Sequence, residues 1–141
     1  MQVKNICTKN VQRVTPDQSL VEVARRMEEF GCGSILVYEN DKLTGVITDR
    51  DIVLRCVAKD KEPKDMTAKE CQTPQVLYCY EEEQAEDVLD NMADNKVRRM
   101  VVLDNEDNKN LVGIISFGDL SAAVKNKEVS GEAMEKIRNA A

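Results

Sequence analysis

Gly45-Val46-Ile47-Thr48-Asp49-Arg50-Asp51-Ile52 and Gly113-Ile114-Ile115-Ser116-Phe117-Gly118-Asp119-Leu120 are two versions of one motif. Each runs glycine, two β-branched apolar residues, a hydroxyl, two variable positions and an aspartate. Strand chemistry thus passes into the chemistry of a helix start. The pair is either a duplicated cap or a duplicated site. As a cap, Thr48-x-x-Asp51 and Ser116-x-x-Asp119 place a hydroxyl three residues before an acid, the capping-box pattern. As a site, the carboxylate can accept hydrogen bonds from two vicinal hydroxyls, each strengthened by its charge. A hydroxyl at a helix N-terminus also stands where a phosphate is favoured.

The duplication extends outward from these eight residues. Lys4, Thr8, Val11, Val23, Met27, Val37 and Asn40 recur 65 positions later as Lys69, Thr73, Val76, Val88, Met92, Val102 and Asn105. From Leu43 and Gly45 the offset becomes 68, giving Leu111 and Gly113. The change falls within Glu106-Asp107-Asn108-Lys109-Asn110, where three added residues belong in a turn. A repeat found this way governs the reading of the whole fold.

Each copy predicts the same order of elements. Val11 to Thr15 alternates as a strand, and Pro16-Asp17-Gln18-Ser19 supplies turn and helix-start residues. Leu20, Val23, Ala24, Met27 and Phe30 fall on one helical face, and Gly31 is a suitable stop. Ser34–Tyr38 and Leu43–Thr48 read as a hairpin about Asn40-Asp41-Lys42, followed by a helix from Asp49 to about Ala58. The second copy predicts a strand over Gln75–Tyr80, a helix over Gln84–Ala93 striped by Ala85, Val88, Leu89 and Met92, and a hairpin of Met100–Asp104 with Leu111–Ser116. These stripes of Val and Met are core rather than ligand contacts. Asp60-Lys61-Glu62-Pro63-Lys64 is a polar linker. The chain therefore divides into a first repeat over 1–60, a linker over 61–65, a second repeat over 66–126 and a tail over 127–141, in which Ser130 is a candidate N-cap for a short helix through Arg138.

A β-α-β-β-α repeat of this size buries little surface alone. Two of them packed through their sheets make a pseudo-twofold α+β domain, and the clefts where they meet are natural ligand sites.

Composition narrows the chemistry. The 141 residues carry a net charge of −6, with 42% hydrophobic and 33% charged residues, as in a soluble globular domain. No apolar run approaches the roughly 20 residues that span a bilayer, and Met1-Gln2-Val3-Lys4-Asn5 lacks the apolar core of a signal peptide. A cytoplasmic protein without a membrane partner is expected. The negative charge opposes nucleic acid as a partner, and the basic group Lys96, Arg98 and Arg99 has no neighbouring aromatics on which bases could stack. With no histidine, Ser-His-Asp and Cys-His catalysis and most zinc sites are excluded. Five cysteines, at 7, 32, 56, 71 and 79, form no C-x-x-C pair and read as small, half-buried apolar residues. No metal site and no enzyme activity are expected.

In order and content these features resemble the tandem cystathionine-β-synthase (CBS) domain, or Bateman module. The resemblance covers the chain to about Val124. It rests on the Thr-containing lead segments Asn5-Ile6-Cys7-Thr8 and Glu70-Cys71-Gln72-Thr73, the Met-bearing helices, the Val-rich strands and the twin glycine-hydroxyl-aspartate elements. It implies two CBS repeats forming one α+β module with pseudo-twofold symmetry. It also implies an adenosine-containing ligand (AMP, ADP, ATP, NAD or S-adenosylmethionine) in the inter-repeat clefts. Carried over by position, Asp51 and Asp119 would hold ribose hydroxyls, and Thr48 and Ser116 would contact ribose or phosphate. The lead segments from Thr8 to Val11 and from Thr73 to Val76 would line adenine pockets. Arg98 and Arg99 would meet phosphate, for which the planar donor fork of arginine is suited. Such modules pair into flat dimers through their helices, so the resemblance also implies a homodimer.

The copies are unequal. Gly31-Cys32-Gly33-Ser34 stands where the second copy has Lys96-Val97-Arg98-Arg99, whereas Arg50 follows Thr48 and Phe117-Gly118 stand in the second element. The Asp119 element with Arg98 or Arg99 is thus the stronger site, and the Asp51 element is a weaker site or only a cap. The reading that results is a non-enzymatic sensor of adenine nucleotide that signals in trans to a partner protein. The alternative is a ligand-independent protein-interaction module whose motifs are only helix caps.

Overall fold

The computed structural model describes residues 1–124 and 127–140. The chain forms two compact units, Val11–Val76 (the first unit) and Met1–Asn10 together with Leu77–Ala141 (the second).

In the first unit β1 (Arg13–Val14) leads to α1 (Leu20–Phe30), β2 (Ser34–Glu39), β3 (Lys42–Thr48) and α2 (Asp49–Arg55), and a short α3 (Ala68–Cys71) lies in the second lead segment. The sheet has the order β1-β2-β3, parallel then antiparallel. Ser19 caps α1 by accepting a hydrogen bond from the Glu22 N–H at 3.3 Å. Gly31 ends α1 in the left-handed region at φ 61°, where glycine carries no Cβ penalty. Asn40 and Asp41 also have positive φ, 51° and 61°, and close the hairpin as residues of that type can. Leu20, Val23, Ile35, Val37 and Ile47 are fully buried, each contributing about 1.5–3 kcal/mol.

The second unit repeats the order with β4 (Tyr78–Tyr80), α4 (Ala85–Asp94), β5 (Arg99–Leu103), β6 (Leu111–Ser116) and α5 (Phe117–Ala123), and adds α6 (Lys127–Ala140). Its sheet is β4-β5-β6 with the same directions. The register shift in the central strand falls at Val37/Tyr38 in one unit and at Val102/Leu103 in the other, which are corresponding positions. The added residues do lie in the hairpin turn, where Asp104 Oδ1 accepts the N–H groups of Asn105 at 2.7 Å and Asn110 at 2.8 Å.

The class is α+β, as the sequence predicts, but several elements differ. β1 and β4 are shorter than expected; the Gln12 carbonyl still accepts the Leu36 N–H at 3.1 Å, so pairing extends past the regular strand. α2 stops at Arg55 and continues as a 3₁₀ turn over Val57–Lys59. In α1, Ala24 is exposed and Phe30 is 48% exposed, so the buried stripe is only Leu20, Val23 and Met27. Ser130 lies inside α6, which starts at Lys127. Burial of Ala133 and Ile137, one turn apart and packed with α4, carries the helix through Gly131, as tertiary packing overrides glycine's low propensity. Lys136 Nζ adds a 2.9 Å ion pair with Asp94 Oδ1. Among the described residues no helix is long and apolar enough to cross a membrane.

Candidate functional site

Both motifs fold as closed capping boxes. In the first unit the Asp51 N–H donates to Thr48 Oγ1 at 3.1 Å and the Thr48 N–H donates to Asp51 Oδ2 at 2.9 Å. In the second the Asp119 N–H donates to Ser116 Oγ at 3.1 Å and the Ser116 N–H donates to Asp119 Oδ2 at 2.9 Å. The shared hydroxyl and acid are therefore explained first by the helix start, which satisfies two otherwise unpaired N–H groups. Each carboxylate spends Oδ2 on this duty, and a carboxylate has about four acceptor positions in all.

The surroundings of the two boxes differ. In the first unit the Gly33 carbonyl accepts the Asp49 N–H at 3.0 Å, and a Cβ on Gly33 would lie 3.2 Å from Asp49 Oδ2. Asp49 and Arg50 are both exposed there, so opposite charges stand together. In the second unit the Arg98 carbonyl accepts the Phe117 N–H at 2.8 Å, and Arg99 opens β5 directly opposite Ser116. Both arginines are exposed. Phe117 and Gly118 replace Asp49 and Arg50, so this helix start carries two cations and no neighbouring acid from the variable positions. Asp51 Oδ1 also faces Arg55 Nη2 at 3.6 Å, and the position corresponding to Arg55 is Ala123.

Each lead segment joins the sheet of the other repeat's motif. Thr8 pairs with Ile114, exchanging two hydrogen bonds of 2.9 Å, and Thr73 pairs with Val46 through bonds of 3.1 and 2.9 Å. This exchange accounts for the glycine that opens each motif. A Cβ on Gly113 would collide with the Thr8 carbonyl oxygen, and one on Gly45 would come within 2.9 Å of the Thr73 carbonyl oxygen. The second unit thus gathers Thr8, Arg98, Arg99, Ser116 and Asp119, and the first gathers Thr48, Arg50, Asp51 and Thr73. Val11 and Val76 are the first and last residues of the first unit.

Arg55 is the residue that sequence reasoning passed over. Besides facing Asp51 it donates from Nη1 to the Cys71 carbonyl at 2.7 Å, tying α2 to the lead segment. The i, i+4 spacing of Asp51 and Arg55 was its one signal.

All five cysteines are free, with Cys56, Cys71 and Cys79 buried. Burial, with Glu83 nearby, pushes the Cys79 thiol up to about 12, and burial also raises Cys7 and Cys71. A thiol held protonated is a poor nucleophile and a poor metal ligand. Among the described residues no group of three His, Cys, Asp or Glu side chains is placed to hold a metal ion.

Comparison with known proteins matches the CBS-domain family model twice, at residues 3–57 and 68–126. The CBS domain-containing protein YhcV of Bacillus subtilis is 33% identical over 135 residues, spanning 96% of this chain and 94% of that protein. A conserved CBS-domain protein from Thermoplasma acidophilum shares the fold at a TM-score of 0.82 and 20% identity, covering 98% of this chain and 76% of that one. The hexameric CBS-CP12 protein from bloom-forming cyanobacteria superposes with a TM-score of 0.78 at 27% identity, over 91% of this chain and 70% of its own.

Proposed function

Because the chain belongs to the CBS-domain family, whose paired domains are regulatory and often take adenosine ligands, we propose that it is a sensor of adenine nucleotide, with its principal site on the second unit. The observation that carries this reading is the pair Arg98 and Arg99 beside the start of α5, Arg99 opposite Ser116 and Arg98 joined through its carbonyl to the Phe117 N–H, without the acid that Asp49 supplies in the first unit. Phosphate oxygens gain charge-assisted, forked hydrogen bonds from such a pair. Asp119 accepts from the ribose hydroxyls, Ser116 lies beside the phosphate, and Thr8 and its neighbours line the base. AMP, ADP and ATP suit two arginines better than S-adenosylmethionine does, and NAD stands between them. The first unit, with Thr48, Arg50, Asp51 and Thr73, is a weaker site. The protein acts as a homodimer and passes occupancy in trans to the protein it regulates.

Thermal shift and calorimetry with AMP, ADP, ATP, NAD and S-adenosylmethionine test the reading. Ligand at about 100 times its dissociation constant should stabilise the fold by roughly 2.7 kcal/mol. Failure of all five to bind at millimolar concentration overturns it. Replacing Asp119 and Asp51 by Asn separates it from a ligand-independent interaction module. Asn Oδ1 can still accept the N–H of Thr48 or Ser116 and loses only the charge, so each variant should lose less than about 1 kcal/mol. Asp119→Asn should lose nucleotide affinity at the principal site and Asp51→Asn at the weaker one; unchanged affinity in both would leave the motifs as caps alone.

A further inference from the structure

The hairpin end of the first unit's sheet holds a cavity of about 350 Å³, lined by β1, the turn into α1 and the turn between β2 and β3. That is the small end of the range for ligand pockets. Arg13 pairs with Leu36, two positions before Tyr38, and its guanidinium carbon lies 4.2 Å from the centre of the Tyr38 ring. Stacking uses the face of a guanidinium and leaves the N–H fork in its plane open to an acceptor. Asn40 and Asp41 form another wall, set by a left-handed backbone at φ 51° and 61°.

The floor of the cavity is already spent on folding. The Thr15 N–H donates to Gln18 Oε1 at 2.8 Å, Thr15 Oγ1 donates to Asp17 Oδ1 at 2.6 Å, and Gln18 Nε2 donates to Glu22 Oε2 at 3.0 Å. The walls are not. Among the described residues the Arg13 guanidinium, the Tyr38 hydroxyl, the Asn40 amide and the Asp41 carboxylate enter no side-chain hydrogen bond or ion pair.

The duplication provides an internal control. The second unit keeps the turn, with the Tyr80 N–H donating to Glu83 Oε2 at 2.6 Å. Tyr78 and Leu103 stand there in place of Arg13 and Tyr38. The Tyr80 ring packs edge-on against Tyr78 at 5.8 Å, and Lys109 of the longer hairpin turn sets its Nζ 5.7 Å from the Tyr78 ring centre. Asn105, which matches Asn40, spends its Oδ1 on the Asn108 N–H at 2.8 Å. The fold thus needs the turn but not the stack of Arg13 on Tyr38, and the unspent groups belong to the first unit.

We propose that this cavity binds a free, neutral α-amino acid, with its carboxylate on the Arg13 fork and its ammonium on Asp41. The Tyr38 hydroxyl and the Asn40 amide complete its hydrogen bonds, and Val14 with the Tyr38 ring gives an apolar wall for its side chain. A nucleotide phosphate would meet Asp41 with one cation to offset it, whereas a zwitterion matches both charges.

Proton–nitrogen NMR titration of the whole chain with L-leucine, L-methionine, L-phenylalanine and L-glutamine, each alone, tests the proposal. At least one should move the amide signals of Thr15, Tyr38, Asn40 and Asp41 with a dissociation constant below about 10 mM. Arg13 and Asp41 are exposed, so their variants should keep the wild-type circular dichroism. Arg13→Gln should weaken binding at least about 10-fold, and Asp41→Asn, which still suits positive φ, about 5-fold. The N-acetyl derivative, which keeps the carboxylate and lacks the ammonium, should bind more weakly and be indifferent to Asp41→Asn. Asp119→Asn should leave amino-acid binding unchanged. No shift from any of the four probes, or binding that survives Arg13→Gln, overturns the proposal. Equal affinity for the N-acetyl derivative overturns the zwitterion, and loss of binding in Asp119→Asn overturns the cavity as the place of binding.

Discussion

The helix starts at Thr48 and Ser116 have the same box, with the same two bond lengths of 3.1 and 2.9 Å, yet different electrostatic settings, mixed in the first and basic in the second. What is shared between them is accounted for by folding, since capping needs a hydroxyl and an acid wherever this strand turns into this helix. What differs is not required by folding: Arg98 and Arg99 against Gly33 and Ser34, Phe117 and Gly118 against Asp49 and Arg50, Ala123 against Arg55. In a duplicated chain the differences between copies are thus the better guide to ligand chemistry. The repeated motif is the better guide to the fold.

The sharpest break in the comparison should come at the glycines. Gly113→Ala drives a methyl into the Thr8 backbone, which can yield only by giving up its pairing with Ile114. Gly45→Ala meets first the Gln72 side chain, which can turn away, and then the Thr73 carbonyl oxygen at 2.9 Å. Urea denaturation should show losses of about 3 kcal/mol for Gly113→Ala and about 2 kcal/mol for Gly45→Ala, within the range for overpacking against fixed atoms. Negligible losses would mean that the lead segments are not held against the two motifs, and equal losses that Gln72 and Thr73 yield no more readily than Thr8.

Next in size is the arginine pair. Arg98→Ala/Arg99→Ala should reduce ATP affinity by about 10- to 100-fold, the worth of one or two charge-assisted hydrogen bonds. Binding of adenosine, which has no phosphate, should be unchanged, as should stability, because both side chains are exposed and the Arg98 carbonyl that holds Phe117 is retained. Equal losses for ATP and adenosine would move these arginines away from the phosphate. A parallel measurement on Arg50→Ala, with a smaller effect, would confirm the ranking of the two units.

The order of elements was legible in the sequence because helical stripes, turn residues and the repeat offset all agreed for α1, the two hairpins and both motifs. The exchange of lead segments was not. Asn5-Ile6-Cys7-Thr8 and Glu70-Cys71-Gln72-Thr73 are short and weakly periodic, and each sheet needs only one bridge residue from them. The glycines at 45 and 113 did record that exchange, but a glycine in a strand is read as close backbone approach only once the approaching segment is known. Ala24 and Phe30 misled for a related reason: helical spacing marks a face as apolar without saying which of two apolar faces is covered. The candidate residues could be named from the sequence. Their division, with Thr8 joining Ser116 and Asp119 and Thr73 joining Thr48 and Asp51, follows from strand pairing alone.

Arg55 makes the smallest and most local test of the asymmetry. Its guanidinium spans two contacts, 2.7 Å to the Cys71 carbonyl and 3.6 Å to Asp51 Oδ1, and Ala123 shows that the fold can do without both. The second contact is long and its arginine is 42% exposed, so it adds little. The first is a charge-assisted bond to a buried backbone, worth about 1–2 kcal/mol. Arg55→Ala should therefore cost about 1 kcal/mol in denaturation, whereas Arg55→Lys, which keeps a charge near Asp51 but loses the fork, should cost nearly as much. If Arg55→Lys restored full stability, the ion pair with Asp51 would be the larger contribution. The first unit's carboxylate would then be committed to its own helix, in keeping with the lower rank proposed for the Asp51 element as a nucleotide site.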